Sequence, residues 1–224
     1  MNSEKNILIV GTSHISQQSI DEIHKYFEEF NPDIIAVELD ILRFQSLISK
    51  KQKRNLMKEI KHFGLKGVIL NTIGAWIENK LGQKVNIKPG ADMKAAIELA
   101  RKNKKELALI DQDIRITLKK LTKEVKAREK LRIFLDLLRI PFAKKQMKSL
   151  DLTKVPEPEF VDELLKQVEQ RYPGIYKVLI KDRNKIIAKN LNKLKIEKEG
   201  KKIMAVLGAG HKKEVEKLIS NGNL

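Results

Sequence analysis

Four short apolar runs limit what this chain can fold into more than any other feature. They are NILIV (6–10), DIIAVEL (33–39), ELALI (106–110) and KIMAVL (202–207), rich in β-branched residues and without polar alternation. Such a strand needs apolar cover on both sides, as in a parallel sheet between layers of helix. The intervening segments supply the helices. Ile20, Ile23, Phe27 and Phe30 share one face of a helix over 17–30, and Met93, Ala96, Ile97 and Ala100 share another's over 91–104. Ser19 with Glu22 resembles a capping box, and Pro32 ends the first helix. From about 112 to 196 no strand pattern occurs, only helical stretches broken by Pro141, VPEPE and YPG. The expectation is an α/β fold with a small, mostly parallel sheet. Its core would be about 1–112 plus 197–224, with a large helical insertion at about 113–196.

At 224 residues and 42% hydrophobic side chains, the chain can bury a sizeable single core. The absence of cysteine excludes disulfides and thiolate metal sites. MNSEKNILIV has too short an apolar stretch for a signal peptide. FGLKGVILNTIGAWIENKLG is interrupted by Lys66, Asn71 and Glu78, so it reads as a buried or interfacial helix. A cytoplasmic protein without a transmembrane segment is expected. The net charge of +17 is concentrated in two stretches. Residues 115–148 hold twelve Lys or Arg against three acids, and residues 177–202 hold ten against three. That density suits an anionic partner such as nucleic acid, a membrane surface or an acidic peptide. It equally suits the solvated helix faces of a Lys-rich, thermophile-like chain, the preferred reading because lysine far outnumbers arginine there.

In parallel α/β sheets, functional groups gather beyond the carboxyl ends of the strands. The first run leads into Gly11-Thr12-Ser13-His14 and the last into Gly208-Ala209-Gly210-His211. The second leads into Glu38 and Asp40 with Arg43 a turn later; the third leads into Asp111 with Arg115 a turn later. The chain thus writes Gly-x-x-His twice, each time directly after a strand, although it has only four histidines. Glycine would allow a sharp turn through positive φ so that each imidazole points back over the sheet edge. Two imidazoles and a carboxylate can hold a divalent metal with a position left for water. His14, His211 and Glu38 are the candidate ligands. Asp111 is a candidate orienter or general base, and Arg115 could hold an oxyanion or a substrate carboxylate. Each has a structural alternative. Glu38 could cap the next helix or pair with Arg43, and Asp111 could cap the helix from Asp113 onward. His24 and His62 read as surface residues.

These residues together resemble the TraB family, relatives of the PrgY, GumN and Tiki proteins. The resemblance runs in order through GTSHIS (11–16), VELDILR (37–43), PGADMKAAIELA (89–100), IDQDIRITLKK (110–120), KDRNKIIAKNL (181–191) and VLGAGH (206–211). It implies the Tiki-like α/β fold shared with erythromycin esterase and ChaN-type proteins, and a metal-dependent peptide hydrolase activity found in some branches. It places His14 and His211 at a Mn, Co or Zn ion and matches Glu38 to an acidic family position. Asp111, Arg115 and Arg183 match charged positions in the later blocks. Arg43, Asp92 and Asp182 are then candidates for contacting substrate. The chain departs from the family pattern at four of these places. Asp92 and Asp182 stand where Glu is usual, and Gln112 and Lys120 stand where Arg is common. The leading reading is a peptide hydrolase, with a non-catalytic peptide-sequestering protein as the alternative. Nucleic-acid binding through the basic insertion ranks third, and a homo-oligomer is compatible with all three.

Overall fold

A computed structural model describes residues 6–13, 16–49, 90–139 and 158–222. The strands are β1 (Ile7–Thr12), β2 (Ile34–Val37), β3 (Glu106–Leu109) and β4 (Ile203–Gly208). They form one sheet in the order β1-β4-β2-β3, with every pair parallel. The protein is therefore α/β, and all four carboxyl ends share one edge. The last strand sits between the first two, with Gly11 opposite Leu207 and Thr12 opposite Gly208.

Successive side chains of a strand point to opposite faces, so an all-apolar strand feeds two cores. On one face Val10, Ile35, Val37, Met204 and Val206 pack against helices α1 (Gln17–Phe30) and α3 (Ala91–Lys102). Ile23, Phe27, Met93, Ala96 and Ile97 cover them, which is the apolar stripe expected of both helices. On the other face Ile9, Ile34, Ala36, Ile203, Ala205 and Leu207 meet Ile187, Ala188, Leu191 and Val215. Those four come from α8 (Asp182–Glu197) and α9 (Ala209–Ser220). The short helix α2 (Ile41–Ile48) follows β2.

Between β3 and β4 the described elements are all helical: α4 (Ile114–Glu124), α5 (Ala127–Arg139), α6 (Pro158–Arg171), α7 (Pro173–Tyr176), then α8. A π-helical turn over Lys177–Lys181 joins α7 to α8. Inserted π turns change the facing of the residues that follow them and recur at functional sites. Here the turn ends two residues before Arg183. The amino end of α7 is held by Glu129, which is buried and accepts from the N–H groups of Gly174 (3.2 Å) and Ile175 (3.0 Å).

Two local expectations are corrected. The first helix begins at Gln17 with Ser16 at its N-cap, so Ser19 lies inside it and forms no capping box. Ser19 instead accepts from the N–H of Ser13 at 3.1 Å. Neither GxxH glycine that opens its phrase has a positive φ; among described glycines that conformation belongs to Gly90, Gly200 and Gly222. At Gly11 the constraint is close approach: a Cβ there would stand 3.1 Å from Lys212 Cδ, so that side chain would have to shift slightly. Among the described residues no helix is long and apolar enough to cross a membrane. The stretch at 63–82 lies outside the described residues.

Candidate functional site

The carboxyl edge of the sheet holds a buried ionic network centred on Arg183. Glu38 leaves the end of β2 and keeps its own N–H on Val206 O at 3.2 Å, which turns its side chain toward β4. One carboxylate oxygen, Oε2, accepts from the N–H of Gly208 at 2.7 Å. The other, Oε1, accepts from Arg183 Nη2. Asp111 extends the β3 side of the same edge, with its N–H directed to Leu39 O and its side chain fully buried. It takes Arg183 edge-on, with Nε at 3.1 Å from Oδ2 and 3.2 Å from Oδ1. Arg43 Nη2 donates to the same Asp111 Oδ2, and Arg43 Nε reaches Asp40 at 2.7 Å. Burial alone would lower the Arg183 pKa, but the Glu38 and Asp111 carboxylates outweigh it and raise the pKa above the ordinary guanidinium value.

His211 enters from the first turn of α9 and is 5% exposed. Its Nδ1 lies 2.6 Å from Asn184 Oδ1, and its Nε2 lies 3.2 Å from Arg183 Nη1 and 3.3 Å from Glu38 Oε1. An amide oxygen only accepts and a guanidinium only donates. A neutral ring that accepts from Arg183 through Nε2 carries its hydrogen on Nδ1, and the contact to Glu38 Oε1 becomes a hydrogen bond only when both ring nitrogens are protonated.

The alternatives for these residues resolve in physical terms. Asp40, not Glu38, caps α2, accepting from Leu42 N at 2.8 Å and Arg43 N at 3.2 Å. Asp113, not Asp111, caps α4. Once those neighbours fill the capping roles, Glu38 and Asp111 are free to serve the edge. Arg115 is not in the network: it is half exposed and folds back onto its own cap, Asp113. Asp92 is buried on α3, its Oδ2 2.5 Å from Thr12 Oγ1 at the end of β1. Asp182 pairs with Lys120 at 2.9 Å. His24 is exposed on α1, while His14 and His62 lie outside the described residues.

Sequence reasoning missed Asn184, which orients His211, and Thr12, which holds Asp92. Asn184 had a signal. It sits beside Arg183 and shares a buried helix face with Ile187, Ala188 and Leu191, where an amide needs a polar partner. Behind Asn184 and Gly210 a cavity of about 880 Å³ runs between α1, α6 and α9, with Val10, Tyr26, Leu165 and Tyr176 among its lining.

Carboxylates from two strand ends, a histidine from the helix after a third, and an arginine from the insertion thus define an α/β protein with a built ionic site at its sheet edge. This chain belongs to the TraB/PrgY/gumN family, whose profile matches residues 2–221. It is 37% identical to an uncharacterised protein of Methanocaldococcus jannaschii, over 99% of this chain and 56% of that one. It is 22% identical to the TraB domain-containing proteins of Bos taurus and Mus musculus, over 80% of this chain and 49% or 50% of theirs. The chain thus spans about half the length of these relatives.

Proposed function

We propose that this chain is a metal-dependent peptide hydrolase unit working at the carboxyl edge of its sheet. The observation that carries the reading is the 3.3 Å separation of Glu38 Oε1 and His211 Nε2. Two ligand atoms, each about 2.0–2.2 Å from one ion, lie at about this spacing. The donor chemistry fits too, since the Asn184 contact leaves an imidazole lone pair directed at the carboxylate. His14, from the first GxxH phrase, is the proposed third ligand. When bound, a Mn, Co or Zn ion supplies Lewis acidity and makes water easier to ionise.

The remaining roles fall to the chain itself. The Gly208 N–H fixes one oxygen of Glu38, so the other stays turned inward. Asp111 grips the edge of Arg183 and holds its donors beside Glu38 and His211, where they would stabilise a developing oxyanion. The cavity behind Asn184 combines apolar and aromatic groups such as Tyr26, Leu165 and Tyr176 with charged ones such as Glu22, Asp162 and Lys213, a mixed lining that a peptide segment could use. A second reading, peptide sequestration without cleavage, is favoured by the way Arg183 and Arg43 already pair with both carboxylates.

The test is hydrolysis of a mixed peptide library with chelator, with added Mn, Co or Zn, and in Glu38→Gln and His211→Ala proteins. Metal-restored cleavage that both substitutions abolish is expected. Peptide binding without cleavage under every condition would install the second reading.

A further inference from the structure

Resting on that reading, we infer that Arg183 is a built-in competitor for the cation. Its Nη2 donates to Glu38 Oε1 and its Nη1 lies against His211 Nε2, the same two lone pairs that would hold the ion. A guanidinium and a divalent ion cannot share those atoms, because like charges repel strongly at such distances in a buried site. The geometry also shows how the conflict is relieved. Arg183 has a second attachment, its Nε–Nη2 edge on Asp111, in which Nε touches neither Glu38 nor His211 and Nη2 is shared with Glu38. Asp111 is in turn fixed by the Gln112 N–H at 2.7 Å and by Arg43. Loading the site therefore means that Nη1 and Nη2 let go of Glu38 and His211 while Nε stays on Asp111. Asp111 is thus a positioning residue for the exchange. Arg183 sets the ion concentration at which the site fills and keeps Glu38 paired until then.

Co²⁺ alone is a suitable probe, because its visible absorption reports its ligands without any substrate. The experiment is a Co²⁺ titration followed by absorption and by calorimetry on the native chain, R183Q, R183K and D111N, each checked for folding by circular dichroism. R183Q should bind about tenfold or more tighter than native. R183K, which keeps the charge but loses the planar fork, should fall between them. D111N should bind more weakly, because Arg183 then loses its carboxylate anchor away from Glu38 and His211, keeping there the Leu179 carbonyl. Adding H211A to R183Q should abolish the gain. Binding by the native chain that R183Q leaves unchanged or weakens would overturn this inference and leave the proposed function standing. R183K equal to native would uphold the competition and assign it to the buried charge, not to the planar fork. No Co²⁺ binding by any folded variant would overturn both.

Discussion

Asn184 Oδ1 and His211 Nδ1 stand 2.6 Å apart in the buried angle between two helices, and this contact decides which imidazole nitrogen faces the carboxylates. The histidine sits in the last GxxH phrase, while its orienting partner comes from the helix that precedes the last strand. Replacing Asn184 by Ala leaves the Nδ1 hydrogen without a partner. The expected cost is about 1–3 kcal/mol of stability, read by denaturant unfolding. Loss of the ring's orientation should also lower Co²⁺ affinity by about 10–100-fold, and N184D should restore part of it.

Breaking the Arg183 network should be far more damaging than breaking the Arg115 pair. Arg183→Met leaves buried Glu38 without its guanidinium partner and Asp111 with Arg43 alone, at a cost of about 3–5 kcal/mol. Arg115→Ala removes an exposed contact within one helix turn and should leave the Tm essentially unchanged. Thermal melts of the two variants side by side provide the comparison.

The core makes an independent prediction. Leu191 is fully buried between α8 and the sheet, so Leu191→Ala should cost about 2–5 kcal/mol by the cavity it leaves. Ile196 is 71% exposed on the same helix, and Ile196→Ala should change stability by less than about 0.5 kcal/mol. Equal effects in urea unfolding would show that α8 does not pack as described.

Hydrolysis, where it occurs, should be lost with chelator and should survive Ser13→Ala. Ser13 lies 3.4 Å from the Ser19 hydroxyl, and its N–H is taken up by the same side chain. Such a contact supplies no base to make it a nucleophile. Cleavage that persists in chelator and disappears in Ser13→Ala would replace the metal mechanism with a serine one.

Nucleic-acid binding should be weak. Part of the insertion's positive charge is already internally paired, as in Lys120–Asp182, Lys177–Glu124 and Arg171–Asp136. A salt titration with a duplex and a single strand checks this. Affinity tighter than about micromolar at physiological salt, with a steep salt slope, would promote the nucleic-acid reading.

The sequence by itself determined the local layers of this protein. Short, unalternating, β-branched runs such as IIAV and IMAVLG read as strands covered on both sides, and the stripes of α1 and α3 name the face each helix buries. Parallel order then delivers Glu38, Asp111 and His211 to one edge, so those three were legible from where the strands stop. Tertiary structure decided the rest. Which carboxylate caps and which serves the site depends on competition between neighbours, and Asp40 and Asp113 win the caps because they stand two residues before the N–H groups they accept from. Arg183 reaches the centre of the network from a helix 72 positions beyond Asp111 in sequence, after a π turn that no periodicity announces. Arg115 matched the same family pattern and folded back on Asp113. A side chain's partner is set by where the helices dock, and docking is a property of the whole packed chain.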